Sequence, residues 1–292
     1  MARHMHAGND IAKLRIALLV TSFILVLEAV GGAVSHSLAL LTDAAHMLTD
    51  VGAAGLGLWA AAIATRQRDN TRSFGYGRAP VLAALANACA LFLIVAFLAV
   101  EAVRRLHDPQ PVQSTLMVLV AAIALVANLA LTWFLTRGEH ESLNIRAVIA
   151  HVLGDACISA AVIVAAFLIL LTTKTIIDPI ASLVAAVAVS FSAWALVRDS
   201  LNILMEGTPE GLNVAAVEQF IRQNAPVEDV HDLHIWCVSD RSFAASLHVR
   251  VQEDDLAQGP STVAKVKKLL LDRFRIAHCT VEVECENCEA AC

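Results

Sequence analysis

Of the 292 residues, 58% are hydrophobic and only 16% are charged, whereas a soluble globular chain is nearer a quarter charged. That balance excludes an ordinary water-soluble protein and predicts an integral membrane protein with room for several spans plus a soluble domain. The formal net charge of −6 argues against nucleic acid as a partner.

The opening MARHMHAGNDIAKLR is short and basic. No small-residue cleavage site follows a short apolar core, so no cleavable leader is expected. Residues 1–15 read as an N-terminal tail, in which His4 and His6 are either metal-delivering or ordinary tail residues. Six apolar stretches follow, over 16–36, 39–64, 81–106, 114–136, 147–171 and 178–200. Each reaches the roughly 20 residues a helix needs to cross about 30 Å of hydrocarbon. The predicted fold is therefore membrane α-helical, with six transmembrane helices over 16–206. Loop chemistry separates the spans: GGAVSHS after the first, HDPQPVQ after the third. In TIIDPI, Asp178 before Pro179 reads as an N-cap followed by proline at the first helical position.

Lys and Arg give the orientation. With the N-terminus inside, the inside segments hold ten of them, including Arg66, Arg68, Arg72 and Arg78, and the outside segments hold Arg104, Arg105 and Lys174. The excess predicts both termini in the cytoplasm.

The chain changes character at MEGTPEGLN. Residues 215–225 read as a helix, 230–238 and 242–252 as strands, 261–274 as an amphipathic helix and 278–286 as a third strand. The order αββαβ predicts a small α/β domain over 207–292. This tail holds 14 Asp and Glu against 8 Lys and Arg, so the whole net charge resides there. An acidic cytosolic domain fits cation handling; a plain solvated surface explains the charge equally well.

The chemistry lies in LLTDAAHMLTDVGAAGL. Ionisable side chains inside a span are costly, about +2.5 to +3.5 kcal/mol each on insertion scales, yet this one holds Asp43, His46 and Asp50. Residues four apart share a helix face, which makes His46 and Asp50 neighbours. The fifth span repeats the spacing with His151 and Asp155 in HVLGD. Two such faces that converge supply two imidazole nitrogens and two carboxylate oxygens, a set suited to tetrahedral Zn²⁺ and open to other first-row divalent ions. An isolated polar residue in a span is often a helix–helix hydrogen bond; two matched pairs point to a metal. Asp43 shares the stripe as an acceptor orienting His46 or as a packing group, and is not counted a ligand. Glu28, mid-span in the first helix, lies on a proton path or is a packing residue.

The runs SLALLTDAAHMLTD, RSFGYGR, SLNIRAVIAHVLGD, DSLNILMEGTP and VHDLHIW resemble those of the cation diffusion facilitator family, in its bacterial zinc-transporting type. The resemblance extends over nearly the whole chain. It implies a homodimer in the bacterial inner membrane that exports Zn²⁺ in exchange for H⁺. It places the transport site on His46, Asp50, His151 and Asp155. Relatives with Asp in place of the first His are less selective, so His46 favours Zn²⁺. The resemblance also implies tail metal sites near His231 in VHDL, His248 in the second strand and the last strand. There Glu284, Cys285 and Cys288 are the candidates for a regulatory zinc that draws two acidic tails together. Cys285 and Cys288 form a C-x-x-C pair, metal-clamping or redox; in a cytosolic tail a structural disulfide is not expected. His234 and His278 read as strand and interface residues.

Other signals are weaker. Some relatives bind a metal in the 66–78 loop through an Asp and two His; here Asp69 is kept, but Arg72 and Tyr76 stand where His is expected, and no metal is predicted. GYG in that basic turn is no channel filter, since filters lie in pore loops between spans. The family's His-rich loop between spans four and five is reduced to His140. No H-E-x-x-H and no G-x-x-x-x-G-K-[ST] occurs, which argues against a membrane metalloenzyme and an ATP-driven pump, and no organic cofactor is expected. A metal-sensing membrane protein, or a cation channel without coupled transport, stays open.

Overall fold

A computed structural model describes residues 2–137, 143–239 and 242–285. His140 and Cys288 lie outside the described residues, as do the side chains of His4 and His6. Six long helices come first: α1 (Ala2–Ser35), α2 (Leu38–Ala64), α3 (Ala79–His107), α4 (Ser114–Leu135), α5 (Leu143–Thr172) and α6 (Ile177–Leu204). All six are long and apolar enough to cross a membrane. Helices suit that medium because every backbone group bonds within its own segment. The tail follows as α7 (Val214–Asn224), β1 (Asp229–Ser239), β2 (Ser242–Arg250), α8 (Gly259–Phe274) and β3 (Ile276–Glu284), the predicted αββαβ order. By internal contacts the chain forms two units, residues 1–56 with 86–196 and residues 57–85 with 197–292.

Small residues and a few polar bonds hold the first unit. A Cβ on Gly31 of α1 would lie 2.6 Å from a Val120 methyl of α4, so glycine permits the close approach of these two helices. Lys13 Nζ donates to the carbonyls of Leu135 and Arg137, at 2.9 and 2.8 Å, which satisfies carbonyls left over at the end of α4. Thr42 and Ser182 join α2 to α6 through a 2.7 Å hydroxyl bond.

Asp178 differs from its sequence reading. It lies inside the first turn of α6 and caps another helix. Its carboxylate accepts from Ser37 Oγ at 2.6 Å, Leu38 N at 2.7 Å and Ala39 N at 3.2 Å. The first N–H groups of α2 have no partner within their own helix, and a fully buried Asp178 supplies both acceptor and negative charge. This bond fixes the start of the helix that carries Asp43, His46 and Asp50.

In the second unit, β1 pairs antiparallel with β2, and β2 pairs parallel with β3. Parallel neighbours need a crossover, which α8 provides. Val217 and Ile221 of α7 and Val266 and Leu270 of α8 bury against Ile235, Leu247, Val249 and Ile276 of the sheet. Asn213 caps α7 by accepting from Ala216 N, and Arg275 at φ 59° ends α8 in the left-handed region.

Candidate metal centre

In the first unit the two His-x-x-x-Asp faces converge. His46 Nε2 lies 3.7 Å from Asp50 Oδ2 and 3.9 Å from Asp155 Oδ1. His151 Nε2 lies 3.4 Å from Asp50 Oδ2 and 3.8 Å from Asp155 Oδ2. One ligand atom from each of the four residues can be chosen so that all lie within 4.8 Å of one another. A tetrahedron around Zn²⁺, with bonds of about 2.0–2.2 Å, has edges of about 3.4 Å. The four groups stand close to those vertices and need only draw in slightly. Two carboxylates also balance the charge of a divalent ion.

The site is graded in exposure. The side chains of Asp155 and His46 are 2% and 16% exposed, those of Asp50 and His151 27% and 44%. The layer one turn towards the C-terminus of α2 and the N-terminus of α5 is therefore the open one. Asp43 is buried, but His46 Nδ1 has no hydrogen-bond partner among the described residues. The expectation that Asp43 orients His46 finds no bond to support it. Sequence reasoning passed over Asn128 of α4, fully buried with neither amide atom partnered among the described residues. A lone amide in an otherwise apolar span was the available signal.

In the second unit a smaller cluster forms across the sheet. Strand register sets His231 opposite His248, and His248 opposite Glu282. Glu284, two residues beyond Glu282, shares that face. Its carboxylate lies between the two imidazoles: Oε1 is 2.6 Å from His248 Nδ1 and Oε2 is 3.1 Å from His231 Nε2. These three residues could hold one ion. A bulge in β1, with Asp232 at φ 48°, brings Asp232 Oδ2 to 3.6 Å from His248 Nε2, and Glu282 Oε2 lies at 3.7 Å. Neither Asp232 nor Glu282 was legible as a neighbour without the register. Cys285 is buried and disulfide-bonded, against the expectation for a reducing compartment. A sulfur held in a disulfide offers a metal no thiolate. His234 bonds Asp232 at 2.9 Å, and His278 meets Phe74 edge to face at 5.4 Å.

The 66–78 loop satisfies its own carboxylate. Asp69 accepts from Thr71 Oγ1 at 2.6 Å, Tyr76 Oη at 2.7 Å, and the amides of Thr71 and Arg72, both at 2.8 Å. Led by the Thr71 and Tyr76 hydroxyls, these bonds hold the Asp69 carboxyl well below the usual carboxylate range. Tyr76, where relatives are expected to place a ligand, thus serves as a donor to the carboxylate. The ordering this provides is present above the ordinary carboxylate pKa of about 3.9 and is lost only as pH falls through the lower folded value. Asp69→Ala should therefore speed amide hydrogen exchange at Thr71 and Arg72 several-fold at neutral pH, since both amides lose their acceptor. Unchanged exchange would show that the loop is held by other contacts.

Comparison with known proteins gives two family matches. A model described as the cation efflux transmembrane domain matches residues 14–205, and one described as the cation efflux protein, cytoplasmic domain, matches 209–286. The zinc transporter ZitB of Pectobacterium atrosepticum is 40% identical over 98% of this chain and 89% of its own. The metal cation efflux system protein CzcD of Cupriavidus metallidurans is 38% identical over 99% and 91%. A cadmium, cobalt and zinc/H(+)-K(+) antiporter of Bacillus subtilis is 33% identical over 98% and 93%. Among solved structures, the metal-bound C-terminal domain of the CzcD transporter aligns at 29% identity and TM-score 0.23, covering 25% of this chain and 99% of that one.

Proposed function

Because the chain belongs to the cation efflux (cation diffusion facilitator) family, we propose that it exports divalent cations, Zn²⁺ foremost, from the cytoplasm in exchange for H⁺. Transport proceeds by alternating access around His46, Asp50, His151 and Asp155. The observation that carries this reading is the convergence of two imidazoles and two carboxylates from two spans, with ligand atoms within 4.8 Å of one another. The names of its relatives, zinc transporters and a cadmium, cobalt and zinc antiporter among them, support the choice of cargo. Two nitrogen donors favour Zn²⁺ over larger, harder ions.

The organisation we propose is a tail over 1–15, a six-helix membrane domain over 16–206 and a cytosolic domain over 207–292 that dimerises and senses metal through His231, His248 and Glu284. The excess of Lys and Arg in the inside segments supports a cytoplasmic position for both termini, and the bacterial sources of the relatives support spans in a bacterial inner membrane. In that orientation the exposed layer, Asp50 and His151, faces inward, and the buried layer, His46 and Asp155, closes the site from outside. The geometry then suits loading from the cytoplasm. Ligands must be deprotonated to bind metal, so binding releases protons. The ordinary imidazole pKa, about 6.5, lies near neutral pH, so protons from the outer side compete for the same nitrogens and release the ion after the spans tilt.

The test is Zn²⁺ flux in proteoliposomes with and without an imposed pH gradient. Flux should follow the gradient and run backwards when the gradient is inverted. Flux indifferent to the gradient would replace exchange with a channel, and tight binding without flux would make the chain a sensor.

A further inference from the structure

Two carboxyl groups meet away from water, one on α1 and one on α2. Glu28 is 0% exposed and Asp43 1%. None of their four oxygens has a hydrogen-bond partner among the described residues. A carboxylate shut away from water with no donor and no cation beside it is costly, and taking up a proton removes that cost. Ile24, Met47 and Ala124 pack together. Each lies one turn from Glu28, Asp43 or Asn128, so three helices enclose this interior. On α4, Asn128 lies one turn from Ala124, fully buried and with no hydrogen-bond partner for its amide among the described residues, and α4 holds no ionisable residue. The charged groups facing the pair are Asp155 from α5, towards both members, and Asp50, towards Asp43. All are acidic.

We propose that Glu28 and Asp43 form a proton-binding site of their own, distinct from the four metal ligands and occupied in alternation with the metal ion. The ligand is H⁺ and no larger cation. Both groups are shut away from water, so a potassium or sodium ion entering here would lose its hydration shell. Zinc would find fewer nitrogen donors here than at His46 and His151. The proposal rests on the metal-export reading of the neighbouring site. While that site is empty, the negative charge of Asp155 and Asp50 keeps a proton on the pair. An arriving divalent ion cancels that charge and adds its own, so the pair gives up its proton; when the ion leaves, the proton returns. In the cytoplasm-in orientation, Asp43 lies one turn of α2 outward of His46, on the closed side of the site.

Infrared difference spectroscopy on the purified full-length protein at neutral pH, with and without Zn²⁺, tests this. The wild type should show the carbonyl stretch of a protonated, dehydrated carboxyl that weakens when Zn²⁺ is added. Glu28→Gln should lack the band, and Asp43→Asn should shift it. A pH-indicator titration should release about one proton fewer per bound ion in Glu28→Gln, in line with removal of one titrating group. A band unchanged by Glu28→Gln, or indifferent to Zn²⁺, overturns the proposal. If Glu28→Gln does not fold, Asp43→Asn carries the test, and an unshifted band there overturns it. A wild type that binds no Zn²⁺ at His46 and its partners yet keeps the band sinks the export reading and leaves the protonated pair standing.

Discussion

Asp155→Asn should reduce Zn²⁺ flux in proteoliposomes by at least ~100-fold while leaving the protein folded. Asn keeps the size and one oxygen of Asp, and the site is nearly closed at this point, with Asp155 2% exposed. What changes is charge. Two carboxylates neutralise a divalent ion; with one left, a net positive charge stays in a site that excludes water. An uncompensated buried charge costs about 3–5 kcal/mol, which is two to three and a half decades in affinity at about 1.4 kcal/mol per decade. Asp50, at 27% exposure, is better solvated, so Asp50→Asn should cost less than Asp155→Asn. Equal losses would mean that the two layers of the site do not differ in dielectric. Wild-type flux from Asp155→Asn would remove Asp155 from the transport site altogether.

Much of this was legible because the signals were local. An apolar run of span length marks a helix wherever it occurs, and a four-residue spacing puts two side chains on one helical face without reference to the rest of the chain. Hence the six spans, the tail order and the pairs His46/Asp50 and His151/Asp155 could be read directly. The failures share one cause, since each depended on which distant segment came near. Asp178 looked like the cap of its own helix because Pro179 follows it, yet its carboxylate meets the start of α2, 140 residues away in the chain. Glu28 and Asp43 were each visible as misplaced charges, but nothing in either span says that they face one another. In the tail, a C-x-x-C spacing drew attention to Cys285 and Cys288. Glu284 stood beside them as a third candidate, and it is the register of three strands that sets Glu284 between the two imidazoles, while a bulge that no local pattern announces turns Asp232 towards His248.

The tail offers the second large effect. Glu284→Gln should abolish Zn²⁺ binding by the tail at concentrations that saturate the wild type, a loss of at least ~100-fold, while the transport site still binds. The carboxylate of Glu284 touches both imidazoles, at 2.6 and 3.1 Å, and is the one anion of the three-residue cluster. Replacing a group that merely supports a metal ligand costs about 10–100-fold in affinity, so losing a ligand directly should reach at least the upper end. Gln keeps the shape and can still hydrogen-bond, which separates the loss of charge from a loss of fold. His248→Ala should act the same way, since the His248 side chain is 17% exposed and nearest to Glu284. Cys285→Ser should leave the tail ion in place, because the sulfur is already bonded elsewhere. Calorimetric titration of the full chain carrying Asp155→Asn isolates the tail ion for this comparison. If Cys285→Ser removes that ion and Glu284→Gln does not, the cluster drawn by strand register is not the tail's metal site.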